Sequence, residues 1–346
     1  MTIIIFLFFI FCISGISFAK EGTFFKDHLS IDKTTNIKGI FVILIFIRHY
    51  LQYVDLQSSY DNFAKCLNSA LGQLIVTMFL FYSGYGVMKK IQKKGLEYIH
   101  SLPKKAFRLL LHFDLAVSLF LLLGIIFRSS FTLKQILLSF LCWDSIGNSN
   151  WYILAVISLY LMTYVSFLLF AKKGKYLYFL SLLIILCVLY MCTLSIWKDA
   201  YWYNTILCYP LGVFYCLYEQ YIEKFVMKKE CIYWGCILLL LYSYYKFFTL
   251  NTNVWFYSGW AISFSLLVVV LTMKIQIQNN LLQFFGSHVF SLYILQRLPM
   301  SVLKHITNIS RHPYFCFVVS FICTIFIALI FDEITTYMDQ KCKKDL

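Results

Sequence analysis

The sequence predicts an all-α fold, a polytopic transmembrane helix bundle of ten core helices plus one N-terminal hydrophobic helix. Three observations carry that expectation. Hydrophobic residues make up 61% of the 346, and the mean hydropathy is +0.75. Only 13% are charged, where a soluble domain carries about 25%. Four prolines occur (Pro103, Pro210, Pro299 and Pro313), so most apolar runs are free to continue as helices long enough to cross hydrocarbon. No Gly/Ser linker, internal repeat or low-complexity tract divides the chain.

Taken in order, residues 1–20 begin with an apolar run whose end, Ser17-Phe18-Ala19, resembles a signal-peptide cleavage site. No positive charge precedes the run, whereas Lys20, Lys26, Lys33 and Lys38 follow it. That bias favours an uncleaved helix with its N-terminus outside. Core helices are expected over residues 36–54, 67–88 and 107–127. A strongly basic loop, 89–108, separates the second from the third. Residues 133–143 lie on the surface or re-enter, and helix four starts at 148 and stops at Lys172, Lys173 and Lys175. Two hairpins follow, 176–195 with 201–218 and 231–248 with 254–273. Helix nine covers 281–303, helix ten covers 314–338, and residues 339–346 form a basic tail.

The net charge of +14 fits the positive-inside rule better than a nucleic-acid partner, and no nucleic acid is expected. With Lys38 cytoplasmic, inner segments hold about three Lys or Arg for each one outside. This places the protein in the plasma (inner) membrane, multi-pass, with a cytoplasmic C-terminus. Twelve cysteines are scattered without C-x-x-C or zinc spacing, so buried free thiols are expected and no metal site.

The stretch that carries chemistry is 36–54, NIKGIFVILIFIRHYLQYV. Ten residues separate Lys38 from His49, and the eleven helical steps make about three turns plus ~20°, so both share one stripe. The rise between them is roughly 16 Å. His49 then sits deep in the outer half of a hydrocarbon core of ~30 Å, where an ionisable group marks either a functional site or a histidine satisfied within the bundle. Acyl transfer to a hydroxyl needs a base of histidine's kind. A CoA thioester also needs cations for its phosphates. Lys105 and Arg108, one turn apart, offer them, with Lys38 as a third; the alternative is topology signalling and lipid-headgroup contact.

Other candidates are open to two readings. Asp114 either orients a histidine or pairs with Arg48 or Arg297. Tyr82 either donates to a substrate or packs in the core, and Ser83-Gly84 marks close helix packing. Asn148, Asn150 and Trp151 line a sugar-binding mouth or form an interfacial belt. Tyr293, Gln296 and Arg297 share one face of helix nine.

As an ordered set, these motifs resemble the acyltransferase-3 family of integral membrane acyltransferases, across roughly residues 33–338. Lys38 to His49 resembles its Arg-x10-His helix, and Phe79 to Tyr85 its aromatic Ser-Gly helix. Lys105-x-x-Arg108 echoes its Arg-x-x-Arg motif. Trp151-Tyr152-Ile153-Leu154 and Gly286 through Tyr293 resemble two later motifs. The resemblance implies an acyl group, commonly acetyl from acetyl-CoA, moved onto a hydroxyl of an extracytoplasmic glycan or glycolipid. It implies His49 as catalytic residue and Lys38, Lys105 and Arg108 as the donor site. Acetyl-CoA is then a substrate, and no permanently bound cofactor is expected. Lys at 38 and 105 gives up bidentate phosphate geometry. Gln296 stands where that family commonly has His, and the N-terminal helix lies outside its usual core.

The resulting expectation is a membrane O-acyltransferase with His49 and Asp114 catalytic. Lys38, Lys105 and Arg108 would bind the donor. Tyr82, Ser83, Asn150, Trp151, Tyr293 and Gln296 would bind the acceptor. A transporter or flippase is the competing reading, disfavoured by the absence of repeated halves and of midplane Gly/Pro breaks.

Overall fold

The computed structural model describes residues 1–55, 58–170 and 174–344. Lys172 and Lys173, expected to close helix four, and residues 345–346 of the tail lie outside these. Nearly all the regular structure is helical: α1 (Thr2–Ile13), α2 (Ile31–Leu51), α3 (Asn62–Leu71), α4 (Leu74–Lys94), α5 (Leu96–Ile126), α6 (Leu133–Phe140), α7 (Trp151–Leu169), α8 (Tyr176–Leu194), α9 (Cys208–Val226), α10 (Glu230–Thr249), α11 (Val254–Thr272), α12 (Asn280–Ser287), α13 (Val289–Leu295), α14 (Arg297–Ile306) and α15 (Pro313–Lys344). Two three-residue strands, β1 (Ile16–Phe18) and β2 (Ile275–Ile277), pair antiparallel.

Seven helical stretches among the described residues are long and apolar enough to span a membrane, those of α4, α5, α7, α8, α10, α11 and α15. The other three expected core helices fail that test for physical reasons. Helix α2 carries Asp32, Lys33, Lys38 and Arg48, and α9 carries Glu219, Glu223 and Lys224. The expected helix 281–303 is three short helices.

That break follows from close packing. A Cβ on Gly286 would stand 1.8 Å from the Thr35 carbonyl oxygen, and one on Gly39 would stand 2.1 Å from that of Leu282. The two backbones therefore touch where α12 crosses α2, as small residues permit. The pairs Gly39–Leu282 and Thr35–Gly286 run in opposite order, so α12 is antiparallel to α2. Asn36 locks the crossing, donating to Gln283 Oε1 (2.7 Å) and accepting from the Asn279 amide (3.0 Å). The chain then turns at His288, and α13 carries Tyr293 to the His49 end of α2.

Helices α4 and α9 use the same device reciprocally. Cβ atoms on Gly84 and Gly212 would each stand 2.1 Å from a carbonyl oxygen of the other helix, Tyr209 and Phe81. The packing role read for Gly84 is thus realised.

Other boundaries move. The expected helix 67–88 breaks at Gly72 (φ +47°) and Gln73, whose amide donates to the Tyr257 hydroxyl (2.9 Å). The basic loop is a helical hairpin: α4 runs on to Lys94, Gly95 (φ +56°) makes the turn, and α5 includes Pro103. Helix α9 begins at Cys208, seven residues later than expected. Pro210 lies in its first turn, where the missing amide costs no hydrogen bond.

The N-terminal helix has 12 residues, about 18 Å, too short to span alone. The chain still crosses the body. The Met1 amine meets Asp61 Oδ1 (2.7 Å) and the Tyr314 hydroxyl (2.9 Å) at the His49 end, and β1 reaches β2 at the opposite end. The described cysteines are free, but Cys66, Cys192 and Cys231 are exposed, contrary to expectation.

Candidate active site

Two cavities lie end to end along α2. The one towards Lys38, of about 390 Å³, is walled by Tyr82, Ser83, Tyr152, Tyr160, Ser287 and Phe290. The one towards His49, of about 650 Å³, is walled by Arg48, Gln52, Gln73, Ser149, Asn204 and Arg297. Ile45, Val76 and Tyr293 line both. The cavities therefore meet at a constriction between Lys38 and His49, one helical turn short of the histidine.

Four elements build that wall. On α2, Lys38, Ile45 and His49 recur at helical spacing on one stripe. On α4, the break at Gly72-Gln73 opens the His49 side, while Val76, Phe79 and Ser83 continue towards the Lys38 side. Tyr152 enters from α7. Tyr293 comes from α13, which the turn at His288 aims along α2.

His49 stands over the constriction. Its Nδ1 is buried with no hydrogen-bond partner among the described residues. Its ring lies 6.2 Å, centroid to centroid, from Tyr293, and Tyr293 lies 5.5 Å from Tyr152. Arg297 flanks the histidine, donating from Nε to Ser149 Oγ (3.1 Å) and from Nη2 to Gln52 Oε1 (2.6 Å).

At the Lys38 end, Lys90 and Lys105 share one aromatic ring, with Nζ atoms 5.8 Å and 3.6 Å from the Tyr98 centroid. Lys38 lies within electrostatic reach of Lys90, and Lys105 within reach of Lys90, Lys94 and Arg108. Lys38 lines the narrower cavity itself, and Lys105 and Arg108 are linked to it through Lys90 on the same side. Sequence reading missed Lys90 as a member, counting it only as a topology charge. Its signal was present: Lys90 follows Ser83 by seven residues, two turns along the same face of α4. Arg108 is partly committed elsewhere, its Nε 3.2 Å from Asp339 Oδ1, which also meets His112 Nε2 at 3.2 Å.

Several expected site residues fall elsewhere. Asp114 lines neither cavity and meets none of its expected partners. Its Oδ1 is buried with no hydrogen-bond partner among the described residues, and it lies within electrostatic reach of Cys142. His112 pairs with Asp339, Arg48 donates to Asn68, and Arg297 takes the contacts given above. Tyr82 and Ser83, expected to bind the acceptor, lie in the Lys38-side cavity and not in the one that His49 lines. Gln296 is buried outside both cavities, donating to the Tyr293 carbonyl oxygen (2.9 Å), since Tyr293 takes the inward face at that level. Asn150 and Trp151 do line the His49-side cavity. The Asn150 amide is spent on the loop, donating to the carbonyls of Asp144 (2.6 Å) and Cys142 (3.3 Å).

Residues 29–332 match the family model described as an acyltransferase domain. The chain belongs to the acyltransferase-3 family. No curated protein and no solved structure matches it. The family match covers both cavities, the His288 turn and α15 as far as Asp332, while α1 and β1 lie outside it.

Proposed function

We propose that this membrane acyltransferase moves an acyl group, acetyl in the simplest case, from cytoplasmic acyl-CoA to a hydroxyl of an extracytoplasmic glycan or glycolipid. The observation that carries the proposal is the meeting of the two cavities at Ile45, Val76 and Tyr293, beside His49. In this reading Lys38, Lys90, Lys105 and Arg108 hold the donor phosphates at one mouth. The pantetheine arm runs through the narrower cavity, roughly the 16 Å rise from Lys38 to His49. The acceptor enters from the wider one, past Trp151 and Arg297.

His49 supplies the proton chemistry. As a base it takes the hydroxyl proton while the acceptor oxygen attacks the thioester carbon. The C–S bond breaks, and the CoA thiolate leaves with the proton that the imidazolium returns. As an acyl carrier its ring nitrogen attacks the thioester carbon and the C–S bond breaks, CoA leaving as the thiolate. The acceptor hydroxyl then takes the acyl group from the imidazole, and its proton is released as the N–acyl bond breaks. Either course needs a ring nitrogen not already engaged by the protein, which the unpartnered Nδ1 supports. The Tyr152–Tyr293 wall keeps the reacting end away from lipid.

The test is acetyl-CoA consumption by purified protein with an envelope glycan present. His49→Ala should lower kcat/KM by about 1,000-fold or more while leaving insertion and CoA binding intact. An active His49→Ala variant would end the proposal.

A further inference from the structure

The His49-side cavity holds two guanidinium groups, Arg48 and Arg297, both within electrostatic range of the His49 ring. Neither meets a carboxylate among the described residues. Arg48 donates to the Asn68 carbonyl (2.9 Å) and to Asn68 Oδ1 (3.2 Å), while Arg297 is held by Ser149 and Gln52. Among the described residues lining this cavity there is no Asp or Glu; its polar walls are amides, hydroxyls, the His49 imidazole and the two arginines. Asp144, the nearest acid in sequence to the Ser145–Asn150 rim, is taken up locally by the Ser145 amide (2.8 Å).

Cations kept in a partly enclosed site without a counter-charge are costly, and they persist where a ligand supplies the missing anion. Guanidinium is the group suited to planar, two-point recognition of carboxylate or phosphate. Each arginine has only neutral acceptors among the described residues, which leaves its charge to be compensated by something that enters. The Lys38-side cations cannot serve this purpose, because they lie beyond the Ile45–Val76–Tyr293 constriction.

We infer that the acceptor is anionic: a glycan or glycolipid with a carboxylate or phosphate that seats between Arg48 and Arg297 and places a neighbouring hydroxyl at His49. This rests on the acyltransferase reading and sharpens it to a substrate class. Neutral sugars would leave both guanidinium groups unpaired, and that is how the site selects against them.

Binding is tested apart from transfer, with purified full-length protein in detergent and tryptophan fluorescence as readout, since Trp151 lines the cavity. The probes are two matched pairs: oligogalacturonate against its methyl ester, and glucose 6-phosphate against glucose. The anionic member of at least one pair should bind about tenfold tighter or more, and whichever pair discriminates shows whether carboxylate or phosphate is read. The preference should weaken as salt rises. Arg297→Gln and Arg48→Gln should erase it, Arg297→Lys should restore part of it, and Lys105→Gln should leave it in place, which separates this site from the donor end. Equal binding within both pairs by the unaltered protein overturns the inference, and needs no variant to fold. So does a preference that survives both Gln variants. Anion binding of the expected kind without any acetyl transfer would instead count against the acyltransferase mechanism and leave the anion site standing.

Discussion

Helices α2 and α10 are nearly equal in length, 21 and 20 residues, and could hardly be more different in surroundings. Helix α2 buries 13 residues, and α10 buries only Tyr233 and Ile237. Helix α10 turns Leu238, Leu239, Leu241, Tyr242 and Tyr245 outward, as a lipid-facing helix must, because lipid offers charged groups no partner. Helix α2 is shielded by its neighbours and so can carry Lys38, Arg48 and His49 along a cavity wall. The difference teaches that hydropathy finds the scaffold, including the walls on α4 and α7, and passes over the charged wall of the site on α2. The three expected core helices that fail on length or apolarity are α2, α9 and the α12–α14 run. Two of them, α2 and α12–α14, form cavity walls, and α9 packs against a third wall, α4.

The contrast can be broken by substitution, and the largest effect is expected at the constriction. Val76 is buried and touches both cavities. A Val76→Trp variant should lower glycan acetylation by about 100-fold or more, as misplaced reactants do, while CoA binding, measured by calorimetry, stays close to that of the unaltered protein. Transfer at an undiminished rate would mean that the acyl group travels by another route.

Next comes backbone contact against open lipid. Gly286→Ala must push α12 off Thr35, and should cost about 1–3 kcal/mol or abolish folded yield. Gly235 on α10 has no atom within 4 Å of where a Cβ would be. Gly235→Ala should therefore be neutral or stabilising by up to about 1 kcal/mol. Thermal unfolding in one detergent compares them, and equal responses would erase the distinction between the two regions.

The smallest effect is at the donor mouth, where several cations share the load. Lys90→Gln should raise KM for acetyl-CoA about three- to tenfold and lower kcat less, the pattern of lost ground-state binding. An unchanged KM would return Lys90 to a topology signal.

How much was legible can be followed residue by residue. The Lys38–His49 stripe was readable, because helical periodicity alone puts both on one face. The gathering of Lys38, Lys105 and Arg108 at one end followed from charge bias and motif order. Asp114 was misplaced because an acid in an apolar run signals importance but not direction; its rotation on α5 depends on packing that sequence spacing does not encode. Gln296 failed for a related reason. Tyr293 and Arg297 keep their shared face on the wider cavity, whereas Gln296 turns its amide back to the Tyr293 carbonyl and lines neither cavity. The breaks at Gly72 and His288, which shape the cavity walls, depend on contacts with distant helices: the Tyr257 hydroxyl at Gln73 and the Thr35 carbonyl at Gly286. Composition marks such glycines without saying what approaches them.

The most direct test of the shared passage is a cryo-EM map of the protein with a thioether analogue of acetyl-CoA that cannot transfer its group. The nucleotide should lie against Lys90 and Lys105. The arm should pass Ile45, Val76 and Tyr293, and the carbonyl carbon should rest beside the His49 ring. Density for the nucleotide at the Arg48–Arg297 end, or an arm running outside the two cavities, would contradict the account.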